Sequence, residues 1–377
     1  MIPCKIFYDT LINNGIDFFT GVPDSLLKDF CAYVTDNTLI KDNIIAANEG
    51  NAIALAAGHH LATGKFGLVY MQNSGLGNAV NPLTSLADKE VYSIPMLLLI
   101  GWRAEPGVKD EPQHIKMGKI MLGMLDNLTI PYKILSAEED DFEIAIKEAK
   151  EYLIKNLSPY AIIIKKGAFE EYKLKKIKDI ACSLTREDAI KTMISLLDKS
   201  DIVVSTTGMA SRELFEAREM NKQGHEKDFL SVGSMGHCSS IALGIALEKP
   251  EKKVYCFDGD GALIMHAGAL SVIGQVKPAN FMHIVFNNHA HDSVGGQPTA
   301  ADNINIAMLA KANGYKDGFS AVTKEDIVKY IKKMRKIKGP ALLEIKVNKG
   351  ARKELGRPTR TPIQNKNDFM GFLKDKD

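Results

Sequence analysis

The densest chemistry in the chain lies in residues 254–265, VYCFDGDGALIM, where a β-branched run delivers Asp258, Gly259, Asp260 and Gly261 and a helix-like stretch follows at once. Glycines around a carboxylate permit unusual backbone angles and close approach of a ligand. A helix opening at such a turn offers unpaired N–H groups and a positive dipole end to a phosphate. A carboxylate beside phosphates suits Mg2+, which prefers oxygen ligands and shares its coordination with phosphate oxygens. An EF-hand does not fit, because with Asp258 first in the loop Leu263 stands where Gly is needed and Ala269 where Glu is needed. A second apolar run, 281–286, ends in Asn287, Asn288, His289, Ala290, His291 and Asp292. Ligands collect at the carboxyl ends of strands in a doubly wound sheet. The two turns are one strand–helix–strand unit apart, so neighbouring strand ends can share one cation. His289 and His291 invite a zinc reading, but no H-E-x-x-H pattern and no cysteine partner accompanies them.

Other chemistry-bearing residues stand in the first half. Glu49 is the only acid at the start of a helix otherwise made of small and apolar residues, AANEGNAIALAAG. A carboxylate buried there needs a partner, unless it merely faces the helix dipole. Asp24 in GVPDS is either a site acid or the cap of the following helix. Gly75 and Gly77 in MQNSGLGNAVN form half a dinucleotide fingerprint, but its spacing is incomplete and no acid follows at the needed distance. A nicotinamide-linked oxidoreductase is therefore disfavoured. The loop GWRAEPGVKDEPQHIKMG contains the only tryptophan, and its Arg103, Lys109 and His114 are suited to meet an anion. The tail brings Lys349, Arg352, Lys353, Arg357 and Arg360 against Glu354 alone. It is either a cover for an oxyanion, which Arg binds bidentately, or a solvated basic segment.

These residues need a scaffold of strand ends. Strand-like runs at 67–71, 96–100, 160–165, 202–205, 254–257, 282–286 and 341–347 alternate with amphipathic stretches at 46–61, 140–156, 186–197 and 324–336. Thr323 and Asp326 have the spacing of a capping box for the last of them. Continuous apolar strands separated by helices are the pattern of an α/β fold with parallel sheets covered on both faces. The halves also end alike, SPYAIIIKKG against GPALLEIKVNKG, which hints at two related doubly wound sheets. The Lys- and Glu-rich stretch between them reads as a linker. The expected layout is a domain over 1–167, a linker over 168–184 and a second domain over 185–377 with a basic tail.

Composition sets outer limits. The 377 residues carry 48 Lys+Arg against 46 Asp+Glu, a net charge of +2, with 45% hydrophobic residues. Disordered, collagenous and disulfide-scaffold classes are excluded. The balanced charge argues against nucleic acid or a membrane surface as the main partner. Five scattered cysteines without a C-x-x-C pair read as free thiols in a reducing compartment. The opening residues lack a signal peptide's apolar stretch, and no apolar run is long enough to cross a bilayer, so a cytoplasmic protein is expected.

GDG followed after one strand–helix–strand unit by NN resembles the diphosphate-binding motif of thiamine-diphosphate enzymes. The resemblance implies that Asp260, Asn288 and the backbone carbonyl of Ala290 hold Mg2+, with Asn287 as the alternative, while Gly259, Gly261 and Ala262 face the diphosphate. SVGSMGH resembles the stretch that props the cofactor's two rings in a bent form, which implies that role for Met235 and an accepting carbonyl for Gly233. The family's activating acid matches Glu49, implied to hydrogen-bond the pyrimidine ring. Two such domains without a middle one, on dimers or larger homo-oligomers with shared sites, resemble the short decarboxylases that act on phosphonopyruvate and sulfopyruvate. The loop after residue 100, the 289–299 segment and the tail GRPTRTP are most similar to the phosphonopyruvate branch. By that resemblance the substrate is a small anionic 2-oxo acid and Asp24, His114 and His291 are proton carriers. Arg103, Lys109, Arg357 and Arg360 would meet its anionic group. A non-catalytic cofactor-binding member of the fold is the more distant alternative, and it would be expected to lack the acid that Glu49 supplies.

Overall fold

A computed structural model describes residues 1–138, 141–176 and 182–374. The chain divides into two compact units, Met1–Lys178 with His291–Pro298, and Asp179–Ala290 with Thr299–Asp377. The first unit holds strands β1 (Phe18–Gly21), β2 (Asn43–Ile45), β3 (Gly67–Gln72), β4 (Leu97–Gly101), β5 (Tyr132–Leu135) and β6 (Tyr160–Ile164). They form one parallel sheet in the order β2-β1-β3-β4-β6-β5. The second unit holds β7 (Ile202–Ser205), β8 (Asp228–Leu230), β9 (Val254–Gly259), β10 (Phe281–Asn287), β11 (Asp317–Ala321) and β12 (Ala341–Lys346). Its parallel sheet runs β11-β12-β10-β9-β7-β8. Counted within each unit and read from the matching edge, both orders are 2-1-3-4-6-5. The similar endings SPYAIII and GPALLEI are β6 and β12, which occupy the same place beside an edge strand. The chain therefore contains one architecture twice.

Side-chain alternation along a strand explains the continuous apolar runs. On β4, Leu97 and Leu99 enter the core on one face, and Leu98 and Ile100 the core on the other. On β9, Tyr255 and Phe257 face one core, Val254 and Cys256 the opposite one. Of the strands outside those apolar runs, β5, β8 and β11 lie at sheet edges and carry polar residues such as Lys133, Asp228 and Ser320, whereas the short β1 lies inside its sheet between β2 and β3. The helix Lys324–Met334 has the anticipated capping box, with Thr323 and Asp326 each satisfying the other's backbone N–H.

Residues 177–181 of the expected linker lie outside the described residues, as does Asp140 of the expected 140–156 helix. The part before residue 177 is packed in the first unit: Phe169 stacks on Phe30 with centroids 5.3 Å apart, and the Asp36 carboxylate accepts from Tyr172 Oη and from the N–H groups of Lys175 and Lys176. His291–Pro298 also groups with the first unit, where Gln297 Nε2 donates to the Lys28 carbonyl. Among the described residues no helix is long and apolar enough to cross a membrane.

A buried ion pair ties helix to sheet in the second unit. Arg218 of the helix Met209–Met220 makes two 2.8 Å bonds to Asp228 on β8 and a third to Gln223. Removing one partner strands a desolvated charge. Arg218→Met should cost about 3–5 kcal/mol in urea unfolding of the cofactor-free protein; a loss below about 1 kcal/mol would show the pair to be dispensable.

Candidate active site

In the second unit β9 carries the GDG turn. Gly259, extended at φ −111° and ψ 157°, precedes Asp260, the first residue of the helix Asp260–Met265. The Asp260 side chain is buried and accepts from Thr299 Oγ1 at 2.5 Å and from the backbone N–H groups of Asp260, Gly261 and Asn288. Burial pushes its carboxyl up to about 6, and those donors offset only part of the effect. All of these partners are neutral. A cation would complement the carboxylate, and carboxylate, amide and carbonyl oxygens are donors of the kind Mg2+ takes.

The two asparagines after β10 differ in their partners. Asn287 is turned into the sheet, donating to Glu344 Oε1 of β12 at 2.7 Å and accepting from His289 N–H. Asn288 donates its backbone N–H to Asp260, and its Oδ1 accepts from Ala290 N–H at 3.1 Å. Asp260, Asn288 and the Ala290 backbone thus come together in this unit. His289, held at φ 59°, sets Nδ1 2.7 Å from Asp302 Oδ1, and burial lowers its pKa despite that acid. Asp258 supports the turn from behind: it accepts from Gly259 N–H at 2.9 Å and lies 3.3 Å from His283 Nε2. Gly261 is half-buried and Ala262 buried. Gly233 and Met235 are half-buried beside Ser234 at φ 52° and Gly236 at φ 84°. A Cβ on Gly236 would sit 2.5 Å from the His266 ring, so that position requires glycine.

In the first unit, Asn48 caps the helix Glu49–Thr63 by accepting from Asn51 N–H, which places Glu49 in its first turn. Glu49 is buried, and its Oε2 accepts from Asn78 Nδ2 at 2.8 Å. Gly75 passes so close that a Cβ there would lie 2.4 Å from Glu49 Oε1. Asp24 is fully buried after β1. It does not cap the next helix, Lys28–Asn37, whose N-cap is Leu27. Its Oδ2 accepts from Leu26 N–H at 2.9 Å and its Oδ1 from Gln72 Nε2 at 2.7 Å.

The expected anion receptors have partners of their own. Arg103 is held by Asp110 through Nε and Nη2 and donates Nη1 to Ser25 Oγ at 2.8 Å. Arg360 pairs with Asp368. The tail is clipped to helices of its own unit: Arg352 bridges Glu187 and Glu216, and Arg212 donates to the carbonyls of Leu355 and Gly356. It is therefore neither a loose solvated segment nor a row of uncommitted cations. Lys109 and Arg357 are exposed. His114 lies in the first turn of the helix Pro112–Asn127. Burial lowers the His291 imidazole to about 4, so it is neutral at neutral pH. Thr299, Gln72 and Asn78 were not singled out from the sequence, and Gly75 only as half of a dinucleotide fingerprint; Gln72, Gly75 and Asn78 lie in the Gly/Asn-rich stretch MQNSGLGNAVN, whose composition is the only signal of a role beside the acids.

Residues 4–124 match the thiamine pyrophosphate enzyme N-terminal TPP binding domain, and residues 206–345 match the C-terminal TPP binding domain of those enzymes. A phosphonopyruvate decarboxylase of Streptomyces viridochromogenes is 32% identical over an alignment covering 95% of this chain and 92% of that protein. The chain belongs to the thiamine-diphosphate-dependent decarboxylase family. A phosphonopyruvate decarboxylase of Streptomyces hygroscopicus is 30% identical over 100% of this chain and 95% of its own length. A sulfopyruvate decarboxylase of Methanosarcina acetivorans is 30% identical, with 89% of each chain covered. The two units are accordingly the two thiamine-diphosphate-binding domains of a decarboxylase, and among the described residues no middle domain separates them.

Proposed function

We propose that this decarboxylase converts 3-phosphonopyruvate to phosphonoacetaldehyde and CO2 without oxidation, using thiamine diphosphate and Mg2+, in phosphonate biosynthesis of the 2-aminoethylphosphonate type. The observation that carries the reading is the likeness to two phosphonopyruvate decarboxylases over 95% and 100% of the chain. The buried acids Glu49, Asp24 and Asp260 support it, because each is a carboxylate whose burial demands a partner.

Thiamine diphosphate, when bound, supplies the carbon nucleophile and the electron sink that loss of CO2 from a 2-oxo acid requires. The residues of this chain do the rest. Asp260, Asn288 and the Ala290 carbonyl hold Mg2+; Asn287, committed to Glu344, is left out of that set. Gly259 shapes the turn, and the Gly261 and Ala262 N–H groups donate to the diphosphate. Met235 would support the cofactor, and the Gly233 carbonyl would accept from its amino group. Glu49, oriented by Asn78, hydrogen-bonds the pyrimidine ring. Departure of CO2 leaves an electron pair that must receive a proton, and Asp24, His114 and His291 are the candidate carriers. Arg103 and the exposed Lys109, Arg357 and Arg360 are the candidates for the phosphonate; to bind it, Arg103 would have to leave Asp110 and Arg360 would have to leave Asp368. The protein acts in the cytoplasm as a homodimer or larger assembly, each site drawing one half from each of two subunits.

Sulfopyruvate is the second reading, favoured by the Methanosarcina relative at 30% identity. After removal of cofactor and metal by dialysis against EDTA, CO2 release from phosphonopyruvate should vanish and return only with thiamine diphosphate and Mg2+ together. Release that persists without them would overturn the mechanism. In competition, a higher kcat/KM for sulfopyruvate would move the assignment to that acid.

A further inference from the structure

We propose that Gln72 is a positioning residue for Asp24, its side-chain amide holding the carboxylate in one orientation inside the first unit. This rests on the reading of Asp24 as a proton carrier in the decarboxylation. Gln72 is the last residue of β3, a central strand, and its backbone is in register with Gly101 of β4. The ladder to β4 therefore fixes where its side chain starts. A glutamine amide has two ends of similar shape, and only its N–H2 end can hold a carboxylate. The carboxylate, which only accepts, sets the choice: Gln72 Nε2 donates to Asp24 Oδ1 at 2.7 Å, and the Ser74 hydroxyl completes the arrangement by donating to Gln72 Oε1, also at 2.7 Å.

The opposite side of the carboxylate is equally confined. Oδ2 accepts from Leu26 N–H, and a Cβ on Gly101 would lie 2.1 Å from it, so glycine there makes the space. Asp24 is fully buried, and desolvation raises its pKa; the Gln72 amide is the largest of the influences that bring it back down, ahead of Leu26 N–H and the Arg103 charge. Among the described residues the ionisable groups facing Asp24 are Arg103, from the loop after β4, and the Cys31 thiol, from the helix Lys28–Asn37. Arg103 is itself engaged by Asp110 and Ser25, and burial pushes the Cys31 thiol up so that it stays neutral. Neither replaces a direct donor. Without the amide the carboxylate keeps its burial and loses its closest side-chain hydrogen bond, so it should hold its proton to higher pH.

The test uses the full chain saturated with thiamine diphosphate and Mg2+, with Gln72→Met, which keeps length but removes the donor, and Gln72→Glu, which adds a charge. The limb of the kcat/KM profile governed by Asp24 should move up by about one pH unit in Gln72→Met and further in Gln72→Glu. Cofactor affinity should stay at the wild-type value. Because protonation of Asp24 is what changes, the direction is the same whether that limb rises or falls. In parallel, 13C NMR of aspartate-labelled protein, with Asp24→Asn identifying the signal, follows the carboxyl directly and needs no turnover. A raised Asp24 pKa in either variant, in a protein that decarboxylates neither phosphonopyruvate nor sulfopyruvate, would uphold the hold of Gln72 on Asp24 and refute the proposed reaction. An Asp24 signal that titrates as in wild type, or kinetic limbs that stay in place while turnover persists, would overturn the positioning role.

Discussion

Glu49→Gln should bind thiamine diphosphate within a few-fold of wild type and lose roughly 10²–10⁴-fold in kcat, the range that removal of a proton-handling group commonly costs. The substitution preserves size and burial. Asn78 Nδ2, which donates to Glu49 Oε2 at 2.8 Å, can donate equally to the new amide oxygen. That bond turns the amide N–H2 toward the position of Oε1, beside Gly75, where the carboxylate would share a proton with the pyrimidine ring. An amide there can donate a hydrogen bond but cannot share the proton. Binding should therefore survive while turnover falls, a split visible in isothermal titration with the cofactor beside steady-state CO2 release. Wild-type turnover would remove Glu49 from the chemistry. Loss of cofactor binding would show that it serves binding alone.

Asp260→Asn should shift two measurements in opposite directions. The Asp260 carboxyl, pushed up to about 6 by burial from an ordinary value of 3.8, is ionised at neutral pH with only neutral partners. A group whose folded pKa is raised contributes stability that is fully present below the unfolded value and is lost as pH rises through the folded value. Its contribution is therefore complete below about pH 4 and gone by pH 7. At pH 7 the cofactor-free variant, having no charge to bury, should unfold at a higher temperature than wild type. At pH 4 the difference should largely disappear. The same change removes the anionic ligand of the proposed Mg2+, so affinity for thiamine diphosphate with Mg2+ should fall by about 100-fold or more, beyond the usual effect of a supporting group. Differential scanning calorimetry with and without cofactor checks both. An unaltered cofactor affinity would take Asp260 out of the metal site.

Different parts of the site left different traces in the sequence. GDG and NN stand at the ends of consecutive strands, β9 and β10, so the fold class and one local periodicity were enough to bring them together. Glu49 was legible because a lone acid in a run of alanine, glycine and isoleucine cannot be explained as surface. The choice between Asn287 and Asn288 was not legible. Successive side chains at a strand end point to opposite faces, and only the arrival of Glu344 on β12, far along the chain, claims Asn287. Charge was equally incomplete. Arg103, Arg352 and Arg360 announce their sign, but their partners Asp110, Glu187, Glu216 and Asp368 appear only when loop, tail and helices are packed.

The sequence by itself determined that this protein is an α/β enzyme of two halves, with its acids and glycines at strand ends and its family written in two short motifs. Those properties are local: apolar runs, turn residues and motif spacing act over a few residues to one strand–helix–strand unit. Only the tertiary structure decided that both halves share the strand order 2-1-3-4-6-5. It also decided that Gln72 and Asn78 serve Asp24 and Glu49, that Thr299 serves Asp260, and that Arg352 and Arg360 of the basic tail pair with acids of their own unit. The reason is physical. Burial raises the cost of every polar group, and which donor answers it depends on residues that the chain brings together only by folding.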